Sequence, residues 1–349
     1  MTDALSQAAP GRRPTRPGST SRPTGTLKSD DLPRPDNTLK PDSILGPDDL
    51  PTPDCAVRAY GTVKPETVAR LGRETGPWVL AAVVVAIQIA YPLIHGDARD
   101  RLTIASVIAF CAASLSHAAV SRGGRWVLGL FGVAASGGLL AEAVGVHTGV
   151  PFGSYSYASS LGPRLFAVPL VIPLAWVMMA YPALLAGRRA RPAGRPATAL
   201  TGGAILATWD LFLDPQMVDA GHWRWHAARG GLGTTLNGIP LSNLVGWLLV
   251  ATLLIAALDA LPDPVRSRRS QSQSQSPTRP DDGTNRAGRA DDRVPFVLLG
   301  WTYASSVLAN LAFFGRPAVA LTGGFAMGAV LAFVGPPRTA RPRRRAAAR

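Results

Sequence analysis

Eight long apolar segments occupy most of the chain between residues 78 and 334. They run over 78–94, 102–120, 126–146, 165–186, 198–213, 241–260, 294–313 and 317–334. A helix needs about 20 apolar residues to cross the ~30 Å hydrocarbon core of a bilayer, and most of these segments approach that length. The sequence therefore predicts an all-α, polytopic integral membrane protein with about eight transmembrane helices.

The fifth segment is the least apolar of the eight, and the distribution of arginine supports its crossing. Arginines concentrate in alternate connections. These are Arg70 and Arg73, then Arg122 and Arg125, then Arg188, Arg189, Arg191 and Arg195, then Arg266, Arg268 and Arg269, and finally the C-terminal tail. Basic connections stay on the cytoplasmic side. All five clusters share that side only if the fifth segment spans, which predicts a multi-pass protein of the cell membrane with both termini cytoplasmic.

Composition argues against two other classes of protein. The net charge is +14, yet 47% of the residues are hydrophobic and only 17% are charged. The arginines flank apolar segments and do not line one helix face, so no nucleic acid partner is predicted. Cys55 lies in a polar tail and Cys111 in an apolar segment, a pattern that indicates neither a disulfide framework nor a metal site.

The chain divides into five parts. Residues 1–70 are Pro-rich and predict a disordered cytoplasmic tail. Residues 75–260 hold the first six helices and the candidate site. Residues 261–293 predict a disordered, low-complexity cytoplasmic linker, residues 294–335 the last two helices, and residues 336–349 a basic tail.

Two further features concern the helices themselves. The fourth segment contains Pro169, Pro173 and Pro182, which predicts a kinked helix because proline removes backbone hydrogen bonds. No internal repeat is apparent in the sequence. A repeat would be a sign of a transporter, so its absence counts against that class.

Polar side chains lie near the outer ends of three predicted helices. Glu142 lies in the third helix, Asp210 and Asp214 end the fifth, and Asn243 begins the sixth. Asp210 and Asp214 are four residues apart and share one helix face. Ionisable groups inside spans are costly and usually functional. We therefore predict a shared cavity in the extracytoplasmic half of the bilayer.

Two aromatic connections follow these acid-bearing helices. The first contains His147, Tyr155 and Tyr157, and the second contains Trp223 and Trp225. Alternation in an extended strand places both tyrosines on one side, and both tryptophans likewise. With Trp209 and Asn243, these residues are candidates for substrate binding.

Several of these residues could have a structural role instead of a functional one. Glu142 could pair with an arginine or a backbone carbonyl group, and His147 could cap a carbonyl at a helix end. Asp214 precedes Pro215 and could simply end its helix. His222 and His226 have a spacing that suits a metal on one helix face, but no third ligand is evident, so no metal site is predicted.

Two sequence blocks, EAVGVHTGVPFGSYSY and DLFLDPQMVDAGHWRW…NGIPLSNLVGW, resemble the carotenoid-biosynthesis integral membrane proteins. That family includes CruF-type carotenoid hydratases and bisanhydrobacterioruberin hydratase. The likeness covers roughly residues 75–260 and extends more loosely to the last two helices. It implies addition of water to the terminal double bond of an acyclic (ψ) carotenoid end, giving a tertiary alcohol.

The residues suit this chemistry. Protonation of an isolated alkene needs a strong acid, and the resulting cation then needs water and a base. A carboxyl group in apolar surroundings can act as the acid, and Tyr or Trp faces stabilise the cation. Glu142, Asp210 and Asp214 are the catalytic candidates, with Asp210 or Glu142 as proton donor. No cofactor is predicted; the partners are a carotenoid, the lipid bilayer and other enzymes of the pathway.

Three alternatives stay open. A lycopene-type cyclase would use the same acid and cation without water. A prenyl elongase would need a diphosphate site with Mg²⁺, and only DLFLD (residues 210–214) offers an acidic pair for it. A non-catalytic carotenoid-binding membrane protein would need the cavity but no acid.

Overall fold

The computed structural model describes residues 65–190, 193–226, 233–267 and 292–334, with side chains from Thr75 onward. Each predicted apolar segment contributes one long helix. These are α1 Pro65–Ala90, α2 Asp97–Arg122, α3 Gly124–Thr148, α4 Val171–Gly187, α5 Arg195–Asp219, α6 Leu241–Ala260, α7 Arg293–Ala312 and α8 Pro317–Ala332. The protein is therefore mostly helical. Most of the predicted tails and linker lies outside the described residues, although α1 begins at Pro65 and residues 261–267 are described.

Five of these helices are long and apolar enough to cross a membrane: α1 (from Thr75), α2, α3, α6 and α7. Helices α4 and α8 are apolar but have only 17 and 16 residues. Helix α4 is buried along nearly its whole length, and α5 carries many buried residues. Because α4 and α5 lie inside the bundle, their contacts are mainly with protein.

The prediction for the start of the fourth helix was wrong. Residues 164–169 form a hairpin in which strand β2 (Arg164–Leu165) pairs with strand β3 (Val168–Pro169). Pro169 therefore precedes α4, whereas Pro182 lies inside it. The hairpin turns at Phe166 and Ala167, with φ of 51° and 65°, a region that residues other than glycine rarely adopt.

The structure contains an internal repeat, so the view that the sequence has none was also wrong, and a transporter is no longer disfavoured on that ground. The first unit runs α3, strand β1 (Tyr155–Tyr157), the β2–β3 hairpin and α4. The second runs α5, strand β4 (Trp223–Trp225), a hairpin of β5 (Thr235–Leu236) and β6 (Ile239–Pro240), and α6. GPRLFAVPLVIPLAW (162–176) matches GTTLNGIPLSNLVGW (233–247) at Gly, Leu, Pro, Leu and Trp.

Strands β1 and β4 pair and so join the two units. The antiparallel register is Tyr155 with Trp225, Ser156 with Arg224, and Tyr157 with Trp223. This register is symmetric about its central pair. We call the two-stranded pair the aromatic ribbon; it lies at the end of the bundle where α3 and α5 finish.

The opposite end of the bundle is held by a buried ion network. Arg122 approaches Asp263 at 3.5 Å and Asp292 at 3.1 Å. Arg188 contacts Asp259 at 2.7 Å and Asp263 at 2.5 Å. Burial alone would raise the pKa of Asp263, but the charges of Arg188 and Arg122 outweigh it and hold that pKa below its ordinary value. The network joins the ends of α2, α4 and α6 to the start of α7.

Asp263→Ala is expected to lower the free energy of unfolding by about 3 kcal/mol, because it removes one partner from two buried arginines. Because the Asp263 pKa is lowered in the folded protein, its contribution exists above the ordinary aspartate pKa and is lost as pH falls through the lowered value. Thermal unfolding in detergent measures the loss. Asp219→Ala is the control: the Asp219 side chain is 65% exposed in its pair with Arg316, and such pairs contribute about 0–1 kcal/mol. Equal losses in both variants would contradict the prediction.

Candidate functional site

A cavity of about 40 Å³ lies beneath the aromatic ribbon, between α3, α4, α5 and α6. Its walls combine two acids and an amide with a largely aromatic surface. The lining residues are Glu142, Phe152, Tyr155, Tyr157, Ile172, Ala175, Trp176, Trp209, Leu213, Asp214, Trp223, Trp225, Asn243 and Trp247. A space of this size accommodates a few water molecules.

Glu142 is buried in α3 and accepts three hydrogen bonds. The Tyr155 hydroxyl donates to Oε2 at 2.5 Å, and the Tyr157 hydroxyl donates to the same oxygen at 2.8 Å. The Trp176 indole N–H donates to Oε1 at 3.2 Å. Each donor is neutral, and together they fix the orientation of the carboxyl group without supplying a positive charge.

The two tyrosines remain donors over the physiological pH range. Burial, followed by the charge of Glu142, raises the pKa of both Tyr155 and Tyr157 well above the ordinary tyrosine value. Their hydroxyl groups therefore stay protonated beside the carboxyl group.

Asp210 and Asp214 form a second acidic group around one amide. The Asn243 side-chain N–H₂ donates to Asp210 Oδ2 at 2.8 Å and also to Asp214 Oδ2. Trp223 lines the cavity together with Asp214. Asp214 lines the cavity, whereas Asp210 lies behind it and lines a separate pocket.

Tryptophan side chains from both units form one wall of the cavity. Trp176 and Trp247 occupy matching positions in the repeat and stack with ring centroids 4.4 Å apart and planes at 10°. The Trp209 ring meets Trp247 edge-on at 6.2 Å. Gly138 of α3 allows this stack, because a side chain there would lie 2.5 Å from Trp176.

The structure brings most of the predicted site residues to one place. Eight of them line the cavity: Glu142, Tyr155, Tyr157, Trp209, Asp214, Trp223, Trp225 and Asn243. His147 lies outside it, with its ring Nδ1 2.7 Å from the Ala143 carbonyl oxygen, as the capping alternative describes. The alternation of Tyr155 with Tyr157 and of Trp223 with Trp225 directs both pairs toward the same space.

Sequence reasoning missed Trp176, Trp247 and Phe152. The two tryptophans end the repeated motif, so comparison of residues 162–176 with 233–247 would have found them. Phe152 fits against Gly145 and Gly246, where any larger residue would collide with its ring. Nothing in the sequence around Phe152 distinguishes it from an ordinary apolar residue.

The two histidines near the ribbon contact serine hydroxyl groups. His222 Nδ1 lies 2.8 Å from Ser160 Oγ, and His226 Nε2 lies 2.8 Å from Ser156 Oγ. Burial lowers the pKa of His222, with the more distant Asp100 opposing the shift. Within the described ranges, no group of three or more His, Cys, Asp or Glu side chains is placed to hold a metal ion.

Comparison with known proteins matches the part of the chain that holds this site. A model of the family described as "Carotenoid biosynthesis protein" matches residues 102–280. Bisanhydrobacterioruberin hydratase of Haloarcula japonica is 33% identical over 122 residues, which are 34% of this chain and 40% of that protein. The chain thus spans well under half the length of this relative. No solved structure matches.

Gly138→Ala is expected to destabilise the protein by about 1–3 kcal/mol, because the added methyl group overpacks the Trp176 ring. Thermal unfolding and tryptophan fluorescence would report the loss of stability and the displaced indole. Gly132→Ala in the same helix is the control, since a side chain there meets nothing within 4 Å. An unchanged unfolding temperature for Gly138→Ala would show that the stack does not depend on this close approach.

Proposed function

The chain belongs to the carotenoid biosynthesis protein family, and from this premise we propose that it hydrates the terminal double bond of an acyclic carotenoid end group. The product is a tertiary alcohol. The observation that carries the proposal is the placing of Glu142 and Asp214 on the wall of one aromatic cavity. The name of the similar Haloarcula japonica protein, a hydratase, supports the same reaction.

The reaction has three requirements. A proton adds to the less substituted alkene carbon, which leaves a tertiary carbocation. Water then forms the C–O bond, and a base removes one of its protons. An acid, a surface that stabilises a cation and a base must therefore face one small space, and the three can each contribute to the rate.

The Asp210–Asp214 group is suited to act as the acid that supplies the proton. Its two carboxyl groups are buried and bound to the same amide, and two negative charges this close in an apolar setting are unfavourable. We infer that the pair holds a proton. Asp214 is the member that faces the cavity, so it is the proposed donor to carbon.

Glu142 is suited to act as the base that accepts a proton from the attacking water. Three donors hold its carboxyl group, and each of these hydrogen bonds favours the ionised side chain against the cost of burial. An ionised Glu142 would attract the carbocation and accept the proton from the attacking water. The stacked faces of Trp176 and Trp247 would stabilise the cation further.

The substrate would reach the cavity from the lipid phase. A carotenoid dissolves in the bilayer, and the outer surfaces of the helices carry many exposed apolar side chains. A volume of about 40 Å³ admits water but not a carotenoid end, so wall side chains would move on binding.

We also propose that all eight helices cross the membrane, with both termini cytoplasmic. The positive connections support this orientation. The polar helix α5 is enclosed by protein, so it can cross without facing lipid along its length. A reporter fused after residue 280 should be cytoplasmic and one at Gly221 should be outside; any other pattern would overturn the orientation.

Expression in a bacterium that accumulates lycopene tests the reaction, with mass analysis of the pigments. Hydration adds the mass of one water for each modified end. An isomer of unchanged mass would identify a cyclase, and added C5 units would identify an elongase. Unchanged pigments with every acyclic carotenoid supplied would contradict an enzymatic role for the chain alone.

In the same assay, Glu142→Gln and Asp214→Asn are each expected to reduce conversion about 100-fold or more, because each removes a group that transfers a proton. Asp219→Asn is the matched control: it lies in the same helix but its carboxyl group is largely exposed. Membrane insertion is checked for each variant. Full conversion by both variants would contradict the assignment of acid and base.

A further inference from the structure

A second pocket lies on the far side of the Asp210–Asp214 group from the main cavity. Helix α5, the β5–β6 hairpin and the first turn of α6 enclose it. Its polar lining comes from Asp210, Asn237 and Asn243, and its apolar lining includes Leu236 and Ile239. Its volume is about 10 Å³, close to what one water molecule needs.

Asp210 is 2% exposed and carries an oxygen that lacks a donor. Oδ2 accepts a hydrogen bond from Asn243, but no described residue donates to Oδ1. A buried oxygen without a hydrogen-bond donor is unfavourable, because it has lost its bonds to water and gained none in return. A proton on this carboxyl group, or a water molecule in the adjoining pocket, would remove that cost.

The two aspartates face different spaces. Asp210 lines the small pocket and Asp214 lines the main cavity. Both accept a hydrogen bond from the side-chain N–H₂ of Asn243, which brings the two carboxyl groups together. The group therefore forms a continuous polar connection between the two spaces.

Only the second unit of the repeat has this polar pocket lining. Where the second unit has Asn237 in its hairpin turn and Asn243 at the start of its helix, the first has Phe166 and Ile172. The polar residues are therefore not required by the shared fold. Asn243 donates to Asp210, and Asn237, whose amide donates to Thr322, lines the same pocket as Asp210.

We propose that the small pocket binds water and is the route by which protons reach the site. A proton passes from water in the pocket to Asp210, then to Asp214, and then to the substrate carbon. The proton released by the attacking water leaves through Glu142, so the protons balance over one turnover. This route rests on the proposed hydration, and it supplies protons while the carotenoid end fills the main cavity.

Infrared spectroscopy of the purified protein in lipid nanodiscs tests the route without substrate. A protonated carboxyl group gives a C=O band that shifts in D₂O, and the band is assigned by its loss in Asp210→Asn or Asp214→Asn. Leu236→Trp fills the pocket and should slow exchange of this band about tenfold or more, since exchange then needs local opening. Leu165→Trp, at the matching position of the first hairpin, should exchange at the wild-type rate.

Asn237→Leu provides a second variant that removes a polar lining group with little change in size, and it should also slow exchange. Thermal unfolding confirms that each variant is folded. Wild-type exchange in both Leu236→Trp and Asn237→Leu would overturn the proposal, as would the absence of any carboxyl band that depends on Asp210.

The pigment assay separates this proposal from the proposed reaction. Slow hydration by Leu236→Trp together with slow exchange supports both. If Leu236→Trp and Asn237→Leu both exchange the carboxyl band at the wild-type rate and still hydrate lycopene, the proton route is overturned and the proposed reaction stands. Pocket-dependent exchange in a protein that hydrates no carotenoid supports the route and overturns the reaction.

Discussion

The pairing of β1 with β4 is the contact on which the site depends. Strands of three residues are not stable alone, and here they are held by the helices on either side and by facing aromatic rings such as Tyr157 and Trp223. The pairing brings Tyr155 and Tyr157 onto Glu142 and places Trp223 on the cavity wall with Asp214. Without it, Glu142 would lose two donors that offset the cost of its burial. One short ribbon therefore holds one acidic group and lines the cavity beside the other.

Five carboxyl groups are buried among the described residues, three at the ribbon end and two at the opposite end. Their burial opposes stability, and the two ends of the protein offset it differently. At the end with Arg122 and Arg188, each acid meets a full positive charge. At the ribbon end, the donors to Glu142 and Asp214 are neutral hydroxyl, indole and amide groups. Neutral donors orient a carboxyl group and leave its charge and proton available. The first arrangement suits stability, and the second suits acid and base chemistry.

Hydropathy was sufficient to predict the eight helices, because long apolar segments between polar connections fold as helices; five of these helices are long and apolar enough to cross a membrane. The predicted directions of the helices were sufficient to place Glu142, Asp214 and Asn243 near the same end of the bundle. The period-two alternation of a strand was sufficient to place Tyr155 and Tyr157 on the same side of it. The sequence could not separate Asp210 from Asp214, since residues four apart share a face and only contacts with α6 and the ribbon decide which one meets the cavity. Trp176 and Trp247 were missed because an apolar helix residue looks the same whether it meets lipid or a cavity.

The repeat places unlike groups at matching positions. Glu142 and Asp210 each lie thirteen residues before their ribbon strand, but their units surround them with different partners. The two units thus match in the order of their elements and differ in their chemistry. In the proposed reaction, the proton comes from the side of one unit while water is deprotonated on the side of the other. A planar alkene held between them is protonated on one face only. In heavy water the new CHD carbon would therefore form with a single handedness, although the ordinary product has no stereocentre there.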